Sequence, residues 1–306
     1  MDMTQAIILT IMTAATPLLL AAIGELVVER SGVLNLGVEG MMIMGAVAAF
    51  AIAQLTGSAG LGALGGLLAG MLFSVLFGFL TLTLVANQVA TGLALTILGL
   101  GLSGMIGEAF IGLPGLKLAA IEIPLLSEIP FFGRILFSQD PIFYVSIIAV
   151  IGVNWFLFRS RAGLRLRAIG DSHTSAHALG VNVVRTRYLV VMFGGACAGL
   201  AGAHLSIVYT PQWVENMTAG RGWIALALVV FASWRPGRAL IGAYLFGAVS
   251  IGQLFAQSRG IGIPSQFLSA LPYLATIAVL VIISLNRRMT LINTPASLGK
   301  SFVPER

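Results

Sequence analysis

Apolar runs long enough to cross a lipid bilayer dominate this sequence. They lie at about 6–24, 38–56, 61–86, 89–107, 141–158, 188–208, 222–234, 239–257 and 266–285. Because about 20 apolar residues are needed to span the hydrocarbon layer, we expect nine transmembrane helices, or eight to ten if the first segments are broken. Only 9% of the residues are charged, and a soluble domain typically has about 25%. The sequence therefore predicts an all-α polytopic membrane protein in which residues 1–306 form a single domain.

The basic residues are concentrated in two segments and predict the orientation of the chain. Segment 159–187 contains six arginines and one acid, Asp171, and the tail at 286–306 contains four basic residues. Because cytoplasmic loops are enriched in Lys and Arg, we expect both segments in the cytoplasm. The net acidic segment 108–140 then forms an extracytoplasmic loop, and residues 25–37 fall on the cytoplasmic side. The positive charge thus indicates membrane topology and not a nucleic-acid partner.

The stretch ERSGVLNLGVEG at 29–40 lies between the first two apolar runs and is unusually polar for this chain. Its two glycines interrupt helix formation, which predicts a break between the first two membrane segments. Irregular backbone at membrane depth is tolerated where it lines a cavity or is buried in protein. We expect Asn35 and Glu39 to face a translocation pathway or its gate, and Glu29 and Arg30 to form a local structural pair. A structural brace is the alternative for Asn35 and Glu39.

Four further amides complete the predicted pathway: Asn87, Gln88, Gln253 and Gln257. Polar groups in the hydrocarbon region normally face a cavity or a partner, because exposure to lipid is costly. Hydrogen bonding between helices remains the alternative for each of them. Amides and one carboxylate suit a neutral solute rich in hydroxyl groups, and this favours a sugar, a nucleoside or a similar compound.

The loop at 163–187 predicts a short helix among the arginines. Asp171, or as a second choice Ser172, can accept hydrogen bonds from the orphan amides of its first turn. Gly180 can end it in the left-handed conformation. Its weakly apolar side, with Ala176 and Leu179, is suited to pressing against a partner at the cytoplasmic face.

Several motifs for chemistry are absent or incomplete, so we expect no enzyme and no cofactor in this chain. TPASLGKS at 294–301 resembles a phosphate-binding loop, but Thr294 replaces the first glycine and a membrane span precedes it. His173 and His177 have the i,i+4 spacing of metal ligands, but no carboxylate or cysteine joins them on that face, and no metal site is expected. The single cysteine, Cys197, is predicted to be a small buried hydrophobe.

Five segments are familiar in combination: TPLLLAAIGELVVERSGVLNLGVEGMMIMGA (16–46), ANQVATGLALTILGLGL (86–102), GLRLRAIGDSHTSAHALGV (163–181), GRGWIALALVVFASWRPGRALIGAYLFG (220–247) and LPYLATIAVLV (271–281). Together they resemble the permease subunits of ABC importers, in the branched-chain amino acid/ribose permease superfamily and its nucleoside and simple-sugar branch. ERSGVLNLGVEGMM and GRGWIALALVVF are the most specific pieces. One departure is Ser233, where the family pattern has glycine.

The resemblance implies an architecture and partners. The fold would be the type II importer fold, similar to the vitamin B12 permease, in the bacterial cytoplasmic (inner) membrane. A second homologous permease, either another chain or a second copy, would share the pathway. An ABC ATPase, which uses ATP and Mg²⁺, would dock at a coupling helix to which six residues map: Gly170, Asp171, Ser172, Ala176, Leu179 and Gly180. A periplasmic or lipid-anchored binding protein would deliver the solute.

Two other classes of function remain open at this point. An ion-coupled secondary transporter of a small polar solute would need acids deep in the bundle. Only Glu39 is clearly in that position, with Glu25 and Glu29 nearer a boundary. A membrane scaffold that does not transport would have no function for the short helix predicted in the loop at 163–187.

Overall fold

The computed structural model describes residues 3–124, 126–127, 129–258, 264–284 and 293–303, and this part of the chain is almost entirely helical. Its helices are α1 (Met3–Arg30), α2 (Val38–Thr56), α3 (Ala59–Gly78), α4 (Gln88–Gly107), α5 (Phe132–Phe137), α6 (Pro141–Arg159), α7 (Arg161–Asp171), α8 (His173–Ala178), α9 (Val183–His204), α10 (Arg221–Phe231), α11 (Pro236–Ser258) and α12 (Ser265–Ser284). Wide π-type turns at Phe79–Thr83 and Leu205–Tyr209 extend α3 and α9, and a 3-10 turn at Glu108–Phe110 follows α4. Strands β1 (Ile121–Glu122) and β2 (Ser138–Gln139) form one short antiparallel pair.

Seven helices in the described part of the chain are long and apolar enough to cross a membrane: α1, α2, α3, α4, α6, α9 and α11. Two more apolar helices, Arg221–Phe231 and Gln266–Ala278, are shorter. The prediction of an all-α polytopic membrane protein is therefore confirmed, and the count of nine spans stays a prediction. Helix α1 continues to Arg30, past the expected end at 24, because its last charged residues are buried and find partners inside the protein.

Small residues hold the centre of the bundle together, where α2, α3 and α9 pack against one another. A Cβ added to Gly70 of α3 would overlap the backbone of α9 at Gly195 and Gly199. One added to Gly66 would lie 2.7 Å from the carbonyl oxygen of Gly45 in α2. Small residues four positions apart, Gly66 and Gly70 of α3 and Gly195 and Gly199 of α9, thus permit close helix contact, and such contact gains dispersion energy in a membrane.

The connections gather at two ends of the bundle. At one end, the break at 31–37 meets the loop at 159–187 and the tail, since Arg187 Nε donates to the Ser31 carbonyl and Gly299 N–H donates to the Gly32 carbonyl. At the other end, Gln54 donates to the Pro114 carbonyl over 2.6 Å, and Leu118 N–H donates to the Ile207 carbonyl over 2.9 Å. The segments predicted to be cytoplasmic therefore share one end. Residues 285–292 and 304–306 of the predicted tail lie outside the described residues.

The close packing of α3 on α9 predicts a specific sensitivity to one added methyl group. Gly70→Ala should lower the thermal unfolding midpoint of the purified chain in detergent, because overpacking costs about 1–3 kcal/mol. Gly101→Ala on α4 is the matched control, since nothing lies within 4 Å of its added Cβ. That control should retain or raise the midpoint, because Ala favours helix by up to about 1 kcal/mol over Gly. Equal midpoints for the two variants would contradict this packing.

Candidate functional site

The carboxylate of Glu39 holds the first turn of α10. Its Oε1 accepts hydrogen bonds from Thr218 Oγ1 at 2.6 Å and from Gly220 N at 2.7 Å, and its Oε2 accepts from Gly222 N at 2.6 Å. The side chain is 2% exposed. A helix N-terminus has unpaired N–H groups and a partial positive charge, so a buried carboxylate is well matched to it.

Two glycines make this contact possible. Gly220 lies in the left-handed region with φ +80°, which a residue with a side chain rarely adopts. A Cβ on Gly222 would come within 2.7 Å of the Glu39 backbone and carboxylate. The two most specific sequence segments, ERSGVLNLGVEGMM and GRGWIALALVVF, therefore meet in one contact between their GVEG and GRGW residues. We call this contact the Glu39 bracket.

Asn35 lies in the break between α1 and α2 and forms hydrogen bonds with α1 and within the break itself. Its backbone N–H donates to Glu25 Oε1 at 3.2 Å, and its side-chain oxygen accepts from Gly37 N at 2.9 Å. Both Asn35 and Glu25 are almost fully buried. Asn35 and Glu39 thus use their polar atoms inside the protein, which matches the brace interpretation, and their placement in a pathway stays a prediction.

The predicted local pair of Glu29 and Arg30 is wrong. Glu29 Oε2 accepts from the indole N–H of Trp234 at 2.6 Å, and Arg30 donates to the Trp234 carbonyl at 3.0 Å. Both side chains point to the turn between α10 and α11, and not to each other. Ser233 and Trp234 have φ of +48° and +55°, so this turn is strained, which explains why glycine suits position 233.

The two amides at the start of α4 differ in their surroundings. Asn87 is the N-cap of α4 and accepts from Ala90 N at 3.0 Å. Gln88 is buried, and its side-chain oxygen accepts from Leu34 N at 2.8 Å, so it ties α4 to the break. Its Nε2 is buried and has no hydrogen-bond partner in the structure.

A cavity of about 210 Å³, lined by apolar residues and five polar ones, lies beside the start of α10. Its polar lining residues come from four elements: Tyr209, Arg221, Ser250, Gln253 and Tyr273. The Arg221 guanidinium lies 5.6 Å from the centre of the Tyr209 ring, and the Tyr273 hydroxyl donates to the Ala219 carbonyl. Of the predicted pathway residues, Gln253 lines this cavity, and Gln257 is half-buried about one turn further along α11.

Sequence reasoning missed Arg221 and the two tyrosines. Arg221 carried a signal, because it is an arginine in a charge-poor region far from the basic loops. Tyr209 and Tyr273 carried none, since isolated tyrosines in apolar runs are ordinary. The Glu39 bracket holds the first turn of α10, and Arg221 of that turn lies over the Tyr209 ring at the end of α9.

A buried ionisable pair joins α6 to the end of α9. His204 Nε2 lies 3.5 Å from Asp140 Oδ2, and Asp140 is also the N-cap of α6, accepting from Phe143 N. Burial favours the neutral carboxyl group, but His204 and the amides of the first turn of α6 hold the pKa of Asp140 below its usual value. The pair therefore holds the N-terminus of α6 next to the end of α9.

The predicted coupling segment contains a short helix, α8, and residues of the segment itself cap both of its ends. Ser172, the second choice, is its N-cap and accepts from Ser175 N, whereas Asp171 ends α7. Gly180 has φ +82°, with hydrogen bonds from Gly180 N to His177 O and from Val181 N to Ala176 O, which is a Schellman ending.

The six predicted coupling residues do not share one face. Leu179 is 85% exposed, and Asp171 and Gly180 are exposed too. Ala176 is 3% exposed and Gly170 is buried, so neither offers a surface to a partner. The interpretation of Ala176 as part of an outward docking side is therefore wrong, because this side of α8 packs inward.

The hydrogen bond between Trp234 and Glu29 predicts a stability effect. Trp234→Phe should lower the thermal unfolding midpoint in detergent, because it leaves a buried carboxyl oxygen without its donor, at a cost of about 1–3 kcal/mol. Trp223→Phe is the matched control, since Trp223 is 49% exposed. A Trp234→Phe midpoint equal to that of the control would show that this bond is dispensable.

Comparison with known proteins places the chain in a family. The model for the branched-chain amino acid transport system / permease component matches residues 7–284. A putative glucose ABC transporter permease of Haloferax volcanii is 41% identical, with 94% of each chain covered. A guanosine ABC transporter permease of Bacillus subtilis is 35% identical, over 92% of this chain and 93% of the relative. A nucleoside ABC transporter permease of Lactococcus lactis is 33% identical, over 90% of this chain and 91% of the relative.

These matches confirm the resemblance seen in the sequence and the prediction of a permease subunit rather than an enzyme. They cover nearly all of the helical bundle, including the Glu39 bracket and the capped helix α8. The chain belongs to the branched-chain amino acid transport system / permease component family of ABC transporter permeases.

Proposed function

We propose that this chain forms half of the translocation pathway of an ATP-driven importer for a nucleoside or a simple sugar. The similar relatives named for glucose, guanosine and nucleoside transport support this class of solute. The cavity beside α10 is the observation that carries the proposal. It combines two aromatic rings with an amide, a hydroxyl and a guanidinium, in a chain with few polar side chains.

This combination suits both solute classes. Tyrosine rings can stack on a sugar face or a base, and amide and hydroxyl groups both donate and accept hydrogen bonds. The cavity adjoins the N-terminus of a short helix that begins after an irregular segment, as in transporters whose discontinuous helices surround the solute. A second permease facing this surface would complete the pathway.

The complete assembly is part of the proposal. The nine predicted spans would consist of the seven long helices with α10 and α12, in the type II importer fold. The end with α7, α8 and the tail would face the cytoplasm and an ABC ATPase that uses ATP and Mg²⁺. The 108–140 end would face a solute-binding protein, and lipid of the cytoplasmic membrane would surround the bundle.

Uptake into proteoliposomes containing the chain with its co-purified permease, ATPase and binding protein tests the energy source. Radiolabelled guanosine and radiolabelled glucose are offered in parallel. We expect one of them to accumulate only with ATP, and an uncoupler to have no effect. Uptake that ignored ATP but stopped with the uncoupler would indicate an ion-coupled transporter instead.

Removing the amide in the cavity tests the pathway. Gln253→Leu should raise the KM for uptake of the accepted solute about tenfold, the effect of one hydrogen bond of about 1.4 kcal/mol. Asn154→Leu is the matched control, because that exposed amide lies on α6, outside the cavity lining. Equal KM values for both variants, with the complex assembled, would contradict the placement.

A further inference from the structure

The tail segment 293–303, here called the tail strap, runs across the same end of the bundle as α8. Its Ser297 N–H donates to the Gly170 carbonyl over 2.8 Å, and its Gly299 N–H donates to the Gly32 carbonyl over 3.0 Å. Gly299 has φ +74°, a conformation that favours glycine. The residues that resemble a phosphate-binding loop therefore form turns whose amides bind protein carbonyls.

Phe302 anchors the end of the strap. It is 8% exposed and belongs to one buried apolar cluster with a residue from each of three helices: Ile169 of α7, Ala176 of α8 and Val183 of α9. The rings of His173 and His177 lie on the same helix, each edge to face with Phe302 at a centroid distance of 5.3 Å. The two histidines at i,i+4 spacing therefore both contact the ring of Phe302.

Arg187 links the strap to the break and to α8. It donates to the Lys300 carbonyl at 3.3 Å and to the Ser31 carbonyl at 3.1 Å, and its third nitrogen lies 3.5 Å from His173 Nδ1. Partial burial, together with the charges of Arg187 and Lys300, lowers the pKa of His173. The neutral ring can then accept a hydrogen bond from Arg187 at Nδ1.

Helix α8 has too little packing of its own to transmit a movement. It has six residues, and only Ala176 among them is buried. Packed side chains and hydrogen bonds with discrete arrangements are what carry coupling between sites. The strap supplies both, since Phe302 covers Ala176 and the strap amides reach α7 and the break at Gly32. The exposed Leu179 is left free to meet another protein.

We propose that the tail strap is a positioning element for energy coupling, with Phe302 as its positioning residue. It fastens α8 to α7, α9 and the break between α1 and α2, so that a displacement of α8 reaches the Glu39 bracket. This inference rests on the proposed function, because it needs an ATPase that moves α8.

The test compares Phe302→Ala with Val303→Ala in the complete complex in proteoliposomes. Val303 is the matched control, since it is adjacent and 64% exposed. The readouts are ATP-driven uptake of guanosine or glucose, whichever the wild type accepts, and ATP hydrolysis with and without the loaded binding protein. We expect Phe302→Ala to lower uptake about tenfold and to lose stimulation of ATP hydrolysis, with the subunits still assembled. Val303→Ala should behave as wild type.

Two further results separate coupling from simple stability. Phe302→Leu, which retains most of the apolar contact but lacks the ring contacts with His173 and His177, should restore at least half of the stimulated hydrolysis without reaching the wild-type value. This partial loss is the test if Phe302→Ala does not assemble. Either of two results would overturn the inference. One is that Phe302→Ala leaves uptake and stimulation unchanged; the other is that Phe302→Ala and Phe302→Leu lose uptake only in proportion to lost assembly of the subunits. A wild-type complex that took up neither solute with ATP would contradict the proposed function instead, not the packing role of the strap.

Discussion

The rest of this permease depends on the hydrogen bonds that the Glu39 carboxylate accepts at the start of α10. This carboxylate accepts hydrogen bonds from Thr218, Gly220 and Gly222 while almost fully buried, so it satisfies the donors at the start of a short helix where no water is available. Leaving such donors unpaired inside a protein costs about 1–3 kcal/mol each. A carboxylate near the start of α2 and the N-terminus of α10 therefore specify each other's position.

The consequences of the bracket extend to both ends of the bundle. On one side it holds the start of α10, where Arg221 lies over the Tyr209 ring at the cavity beside α10. On the other side α10 leads into the turn where Trp234 holds Glu29 and Arg30. The break between α1 and α2 is fixed in turn by Asn35 and by the tail strap at Gly32. Irregular backbone at this depth is tolerated because protein groups bind several of its polar atoms, such as the N–H groups of Leu34, Asn35 and Gly37.

Features set by local chemistry could be predicted from the sequence. The end of α8 at Gly180 and the close approach of the small residues of α3 and α9 follow from backbone conformation and side-chain size. The choice between Asp171 and Ser172 as the cap could not be settled, because adjacent residues with acceptor oxygens are nearly equivalent caps. The polarity and the two glycines of the stretch at 29–40 likewise predict the break between α1, which ends at Arg30, and α2, which begins at Val38.

Features set by distant partners could not be predicted in this way. The donors to Glu39 are about 180 positions further along the chain, and nothing in a local pattern indicates them. Glu29 and Arg30 are adjacent and suggest a pair, yet both find their partner in Trp234, about 200 positions further along the chain. Ala176 looked outward because the partner that covers it, Phe302, lies in the tail.

Amide hydrogen exchange of the chain in detergent, with Glu39→Gln compared to wild type, tests the bracket most directly. The amide group of glutamine presents N–H donors where an oxygen had accepted, so at least one donor of the first turn of α10 loses its partner. We expect the amide of Gly220, of Gly222 or of both to exchange about tenfold faster, with the exchange of α9 unchanged. Equal protection of these two amides in both proteins would contradict the bracket.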